Sequence, residues 1–459
     1  MNREIHIKIT LNGKSTILVS AVLFSFTYIL IIVTKYPLYL LTLFLGMVSL
    51  SIIILSWFLT RIRLIALESL EIERVLPEKI YEGEEVEVEV KLINNRSFGI
   101  YLARLVDEYP TSTRLVSGAS DFLGVIPARS KVSFTYKLKV DAIGKHKFRG
   151  LYLYTQDFLG IFEITALYKE INKNSIKCMP KPSLAELAYE GESYLLGSFA
   201  PTKIGGYGFE FKDIREYHSG DELRRIDWKA SARTGKLMII EYEKEAISDI
   251  VIVLDLSKWM FIGKLGMRKI DFSARTIAYV INAAMKHGDR VGLLLIGDKE
   301  YKVIPIRKAS LNTYLQITDL ISEIPVEYEG YRTEENVLDL KIDNIISGLN
   351  IREKTLFIVI SDLEEEYRSS YISDLIFFLR GIGHSVVLIS PYTPLFELEL
   401  LSGELAAIYR VETYKGLKSR VNVKNKFIQY GIPIIDVGPD DMIPAILKRL
   451  ERFKRLTPT

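Results

Sequence analysis

Two uncharged apolar runs lie almost end to end near the start of the chain, at residues 15–34 and 36–60. They hold 20 and 25 residues. At about 1.5 Å of rise per residue, each makes a helix long enough to cross a hydrocarbon core of about 30 Å. In lipid the backbone amides must bond within their own segment, so helices are the expected form. Only Lys35 separates the runs and Pro37 follows it, so the turn is tight and the helices run antiparallel. Arg3, Lys8 and Lys14 precede the first run, and Arg61 and Arg63 follow the second. The positive-inside bias therefore predicts a two-pass protein of the cell membrane with both termini and all soluble domains in the cytoplasm. A secretory signal peptide would have a shorter apolar core and a small-residue cleavage site. Neither run contains Asp, Glu, Lys, Arg or His, so residues 15–60 are expected to contact lipid as an anchor and not to conduct ions.

The 459 residues leave room for two or three soluble domains. With 48% hydrophobic and 25% charged residues, most of the chain is expected to fold. A net charge of +3 is too small to argue for nucleic acid, and no nucleic-acid motif occurs, so no such partner is expected. Cys178 is the single cysteine, which excludes an intramolecular disulfide and a thiolate metal site. It is expected to be buried and inert.

Residues 1–65 are read as a tail and the membrane hairpin, and residues 66–180 as a β domain. Glu85-Val86-Glu87-Val88-Glu89-Val90-Lys91-Leu92 alternates charged and apolar residues, as a half-exposed strand does. The pattern returns at residues 132–140, and residues 151–154 form another short strand after Gly144 and Gly150. Strands at these intervals, with no helical pattern between, predict an antiparallel β-sandwich.

Residues 181–246 are read as a linker and a mixed-charge segment, GFEFKDIREYHSGDELRRIDWKASARTGKLMIIEYE at 208–243. Mixed charge at helical spacing can pair, unlike a block of one sign. Residues 218–221 predict a turn into a helix, with Ser219 or Asp221 as N-cap and Gly235 as the stop. Leu223, Ile226 and Ala230 would share its face. Asp221 would pair with Arg225, and Arg224 would reach the Trp228 ring. Gly205-Gly206-Tyr207-Gly208 lacks phosphate-loop spacing.

Residues 247–459 alternate strands and helices. Asp249-Ile250-Val251-Ile252-Val253-Leu254-Asp255 is a continuous apolar strand ending in an acid, the form taken when helices cover both faces. Helices are predicted at 272–287, 311–324 and 337–349, and further strands at 290–296, 355–361 and 385–390. This alternation predicts a doubly wound parallel sheet, in which ligands bind at the carboxyl ends of the strands. Asp255 and Asp362 fall at such ends. The basic amphipathic helix at 442–456 is expected to pack on the sheet; lying on an anionic membrane is the other reading.

The segment at 208–243 resembles the signature of domain-of-unknown-function family fifty-eight, whose members carry a von Willebrand factor A-like domain just downstream. The order of hairpin, sandwich, signature and A-like domain is that family's, and Asp157-Phe158-Leu159-Gly160-Ile161-Phe162 resembles its D-P-F-G-L-F turn with Phe158 in place of proline. Asp255-Leu256-Ser257-Lys258-Trp259 is similar to the D-x-S-x-S motif of a metal-ion-dependent adhesion site at its first two ligand positions; Trp259 replaces the third. The resemblance implies Asp255, Ser257, Thr333 and Asp362 as ligands of Mg²⁺, a cation suited to hard oxygen donors. The other reading satisfies both carboxylates with loop N–H groups and helix N-termini, without metal.

The family has no established enzymatic activity, and its members are often encoded near MoxR-type AAA ATPases. The resemblance thus implies a non-enzymatic scaffold that binds a cytoplasmic protein, with such an ATPase as candidate. Arg215, Tyr217, His218, Gly220, Asp221, Arg224, Arg225, Asp227, Trp228 and Arg233 are the candidate partner-binding residues, and the segment is expected to form an ion-paired joint between the soluble domains. The alternative is a hydrolase or transferase using His218, Asp221 and Asp227. Among the five histidines only His218 lies in this mixed-charge segment, and no G-x-S-x-G or H-E-x-x-H motif occurs.

Overall fold

The computed structural model describes residues 3–33, 38–157, 159–169, 171–181, 209–219, 221–244, 247–297, 300–328, 342–362, 368–398 and 421–456. The chain divides into two compact units, Met1–Met179 with Ser322–Val326, and Pro180–Ile321 with Glu327–Thr459.

In the first unit the helices α1 (Leu11–Val33) and α2 (Leu38–Glu68) are long and apolar enough to cross a membrane. They pack against each other. The small residues Gly13, Ser20 and Thr27 are buried in α1, and Thr27 Oγ1 donates to Thr42 Oγ1 at 2.8 Å, fixing the helices' relative level. Close backbone approach through small residues is how helices associate in lipid.

Residues 3–9 are not a plain tail. Arg-Glu-Ile-His-Ile-Lys-Ile alternates at period two, and it forms strand β1 (Arg3–Ile9). Eleven more strands follow the hairpin: β2 (Glu71–Val75), β3 (Lys79–Tyr81), β4 (Glu85–Asn94), β5 (Ile100–Glu108), β6 (Thr113–Gly118), β7 (Asp121–Ile126), β8 (Ser130–Val140), β9 (Gly144–Lys147), β10 (Gly150–Gln156), β11 (Phe162–Tyr168) and β12 (Ser175–Met179). They form sheets of order β1-β11-β10-β5-β7, β2-β4-β8-β6 and β3-β12-β9. The first two sheets are antiparallel throughout, and their inward side chains, such as Val88 and Leu138 from one and Leu105 and Leu153 from the other, join one buried apolar cluster. Cys178 is buried.

A polar network lies inside that cluster. The Arg74 guanidinium pairs with the Asp107 carboxylate, its Nε donating at 3.1 Å, and Tyr136 Oη donates to Asp107 Oδ2 at 2.6 Å. Arg74 also stacks on Phe148 at 4.1 Å. Arg74 and Tyr136 come from one sheet and Asp107 from the other, so the network ties the two together. Burial, reinforced by Asp107, pushes the Tyr136 hydroxyl pKa well up. His146 is structural: its Nδ1 lies 2.7 Å from Ser112 Oγ and its Nε2 2.7 Å from Ala142 O.

The second unit opens with the two-stranded antiparallel ribbon β13 (Phe209–Glu216) and β14 (Met238–Lys244). A six-stranded sheet follows: β15 (Asp249–Asp255), β16 (Arg290–Ile296), β17 (Tyr301–Lys308), β18 (Thr355–Ile360), β19 (Ser385–Pro391) and β20 (Ile434–Val437). Its order is β17-β16-β15-β18-β19-β20, parallel except at the β17 edge. Val251 and Val253 join a cluster with helices Ile342–Leu349, Arg368–Gly381 and Val421–Gln429. Ile250, Ile252 and Leu254, pointing the other way, are equally buried. Helices Lys269–His287 and Met442–Leu456 pack together, and both contact the sheet. Ile446, Leu450 and Phe453 of the last helix are buried, so it packs as expected.

Candidate functional site

The parallel pairing of β15 with β18 brings their carboxyl ends side by side, and strand order reverses there, with β16 on one flank and β19 on the other. Asp255 ends β15, and Ser361 and Asp362 follow β18. Asp255 Oδ2 accepts from Ser361 Oγ at 2.8 Å, and its Oδ1 accepts from Ser257 N at 3.0 Å. Asp362 is engaged differently. Its carboxylate pairs with the Lys269 ammonium, which also donates to Thr393 Oγ1, while Ser390 Oγ holds the Asp362 carbonyl at 3.1 Å.

Lys269 is the first residue of helix Lys269–His287 and is 0% exposed. A cation in the first turn faces the positive end of the helix dipole, and a buried ammonium without a counter-ion is costly, so its position requires Asp362. The neighbouring cap is also ionic: Arg268 Nη2 meets Asp271 Oδ1 at 2.8 Å, and Asp271 Oδ2 accepts from Arg268 N at 3.0 Å.

These residues do not fit Mg²⁺ as they stand. A divalent ion at Asp362 would lie against a buried ammonium, with Asp255 already accepting from a hydroxyl and an amide. Trp259 offers no oxygen, Thr333 lies outside the described residues, and among those described no group of three or more His, Cys, Asp or Glu is placed to hold a metal. Sequence reasoning singled out Asp255 and Asp362 but missed Lys269. Lys269 lies three residues before the helix predicted at 272–287, so the helical pattern did not mark it.

The mixed-charge segment departs from its predicted local structure. Asp221 pairs with Arg215; the Arg225 side chain, its predicted partner, lies outside the described part. Arg215 Nη1 and Nη2 each donate to one oxygen of Asp221 at 2.8 Å, and His218 N donates to Asp221 Oδ2 at 2.9 Å. Arg215, helped by that backbone N–H, holds the Asp221 carboxyl at about 2, below the usual carboxylate range. Arg215 of β13 thus meets the carboxylate of the turn as a bidentate fork, the strong form of an arginine–carboxylate pair.

The predicted helix is also split. Leu223–Arg225 is a single 3₁₀ turn, and the α-helix runs only from Trp228 to Thr234. Its N-cap is Asp227, not Ser219 or Asp221: Asp227 Oδ1 accepts from Lys229 N at 3.0 Å and from Ala230 N at 3.1 Å. Gly235, at φ 72, ends it as expected. Ser231 Oγ donates to Asp227 O and accepts from Met238 N, both near 2.8 Å, so the helix is pinned to β14. Leu223 and Trp228 are exposed, whereas Ile226 is buried. Lys236 meets Glu216 at 2.9 Å. Gly220 is outside the described residues; Tyr217 N bonds Leu237 O at 2.8 Å.

This geometry removes the basis for a catalytic His218–Asp221–Asp227 cluster. Asp221 serves Arg215 and a backbone amide, Asp227 caps a helix, and His218 Nδ1 lies 3.0 Å from Glu216 O. No described hydrogen bond joins His218 to Asp227. A cavity of about 530 Å³ lies elsewhere, at the opposite ends of β18, β19 and β20, where Arg380, Arg449 and Arg452 line it.

The sheet, its strand-end acids and the pinned ribbon-and-helix segment define an α/β unit joined to a β-rich unit that bears two candidate membrane helices. Residues 213–387 match the family described as "Protein of unknown function DUF58", the family whose signature the sequence resembles. The chain is 23% identical over 238 residues to "Uncharacterized protein YeaD" of Bacillus subtilis (strain 168), covering 50% of this chain and 56% of that one. It is 25% identical over 129 residues to "Uncharacterized protein Rv1480" of Mycobacterium tuberculosis, covering 28% and 41%. The chain thus spans about half the length of these curated relatives. Among solved structures, the SpRpn10 VWA domain is similar over 44% of this chain and 95% of that one, at 13% identity and a TM-score of 0.28.

Proposed function

We propose that the protein is a membrane-anchored interaction protein. Its β-sandwich is carried on a two-pass hairpin with the soluble parts in the cytoplasm, and its doubly wound, von Willebrand A-like unit docks a cytoplasmic protein through the mixed-charge segment. The observation that carries this reading is Trp228. It is 70% exposed on a helix with no buried residue, yet that helix is fixed at both ends and to β14. Preordered exposed tryptophans flanked by cations make efficient binding anchors, since little entropy remains to be lost. Lys229 and Arg233 sit four apart on this helix and Arg224 precedes it, so the partner surface is acidic with an apolar recess. A MoxR-type AAA ATPase is the candidate that the family resemblance implies. The strand-end cluster works without metal in this reading, the Lys269 ammonium standing where a divalent ion would otherwise balance Asp362.

The test is direct titration of a purified MoxR-type ATPase against the full chain in detergent. Trp228→Ala should weaken binding by about 2 kcal/mol, roughly 30-fold, with circular dichroism unchanged. Binding that is equally tight for Trp228→Ala, or no binding by the parent, would sink the proposal.

A further inference from the structure

We propose that the hairpin-side end of the first unit is itself a membrane-contacting face, seated on anionic lipid headgroups; this rests on the reading of α1 and α2 as a membrane anchor. The strand register gathers that end. Ile9 pairs with Phe162, Gln156 with Glu163, Ile100 with Ile126, and Asn94 with Ser130. The loops 95–99 and 127–129, Asp157 and residues 159–161 therefore emerge together, beside the point where the chain enters α1 and where α2 passes Ser56.

The level of this end is fixed by hydrogen bonds. Gly13 lies as many residues before Thr27 as Ser56 lies beyond Thr42, and Thr27 meets Thr42, so Gly13 and Ser56 are level, about 21 Å from that contact. Asp157 and Ile161, the two sides of this turn, are stapled at both levels. Thr10 N donates to Ile161 O at 3.0 Å, a side chain at Gly13 would collide with Ile161 O, and Ser56 Oγ donates to Asp157 Oδ2. Arg63 Nη1 adds a bond to Gln156 O. Since the 23 residues of α1 span about 34 Å, a helix that crosses a core of about 30 Å puts this turn at the hydrocarbon boundary.

Side chains at that level suit an interface. Phe98, Tyr101, Leu102, Val125 and Leu159 are exposed, although the sheet interior is well filled. The two consecutive outward residues, Tyr101 and Leu102, arise from an irregularity in β5 between Ile100 and Ala103, where Leu102 takes φ 51. A left-handed leucine is strained, and strain that turns two apolar side chains outward marks a surface with a use. Arg96 and Arg129 are exposed beside them, their loops joined by Arg129 N donating to Arg96 O at 2.9 Å, and Arg61 lies over the Trp57 ring at 5.1 Å. The nearby acids are engaged: Asp157 as above, Glu71 by Asn95 Nδ2 at 3.2 Å, and Glu163 by Gln156 Nε2 at 3.5 Å. Aromatic, aliphatic and cationic side chains at one level are the composition of a face bound to anionic lipid.

The test uses the full chain in nanodiscs of phosphatidylcholine and phosphatidylglycerol. Single nitroxide labels go on Leu102→Cys, Val125→Cys or Leu159→Cys, in a Cys178→Ala background. Ile29→Cys in α1 is the lipid control, and Val116→Cys in β6 the aqueous one. The three test labels should lose broadening by an aqueous nickel chelate and gain broadening by oxygen, as at Ile29 and unlike Val116. If Ile29 is in lipid while the three match Val116, this proposal is overturned and the anchor stands. If Ile29 is aqueous too, the anchor reading fails first. Unchanged broadening at Leu102 in phosphatidylcholine alone would overturn the preference for anionic lipid.

Discussion

Replacing Asp362 by asparagine tests the strand-end cluster most sharply. The substitution keeps the side chain's shape and removes its charge, leaving Lys269 buried without its counter-ion. Lys269 is 0% exposed and Asp362 1%. Removing one partner of a buried pair costs about 3–5 kcal/mol, and the helix dipole acts in the same direction by about 0.3–1 kcal/mol. Amide hydrogen exchange of the full chain reads this locally, which matters because two units need not unfold as one. With tenfold for each 1.4 kcal/mol, protection in β15 and β18 should fall by roughly two and a half to four decades. Replacing both partners by apolar residues, Lys269→Met with Asp362→Leu, should restore most of it. Mg²⁺ should leave the parent's exchange unchanged yet restore protection in Lys269→Met, where Asp255 and Asp362 remain without the ammonium. Slower exchange of the parent in millimolar Mg²⁺, or a loss under about one decade for Asp362→Asn, would refute the built-in cation.

Three further outcomes follow from the two units. Asp227→Ala removes the acceptor of two amides at an N-cap, costing about 1 kcal/mol, so exchange at residues 229–231 should rise about fivefold. The Asp221 carboxyl is held at about 2, below its ordinary 3.8, so its clamp on Arg215 contributes stability that is full above pH 3.8 and lost as pH falls through 2; Arg215→Ala should return its carboxyl titration, followed by NMR, toward 3.8. Tyr136→Phe deletes a hydrogen bond to a buried carboxylate, and exchange in β8 should report a loss of about 1.5–3 kcal/mol.

Much of the second unit was legible because a parallel strand covered on both faces is a continuous apolar run. Residues 290–296 were predicted and form β16 with the same limits, and the predicted 355–361 forms β18 one residue shorter. The antiparallel edge β17 was not, since Tyr-Lys-Val-Ile-Pro-Ile-Arg-Lys mixes charge and proline as edge strands do. In the first unit, β4 was plain from its alternation, whereas β1 has the same alternation and was hidden by the span beside it. The helix at 221–234 was misjudged because periodicity ran through Ile226, where an extended residue lets Asp227 cap a new helix. Asp255 and Asp362 could be placed together from strand ends alone. Lys269 could not, because its arrival at Asp362 depends on how helix Lys269–His287 packs on the sheet.

The pairing of β1 with β11 constrains the hairpin independently of hydropathy. β1 precedes α1 and β11 follows α2, yet seven residues of each lie opposite one another. The chain between them must therefore cross the membrane an even number of times, so α1 and α2 either both cross or both do not. An arrangement with one spanning helix and one lying on the surface is incompatible with that sheet. Hydropathy speaks for each run separately, and two separate votes leave the mixed case open; the β ladder removes it. The same ladder places Arg3 and Lys8 on the side of Arg61 and Arg63, so the flanking cations act together on orientation. Pairing also covers the edge of β11 that would otherwise be open to another chain, so the hairpin's return is a condition for completing the sheet as well as for anchoring it.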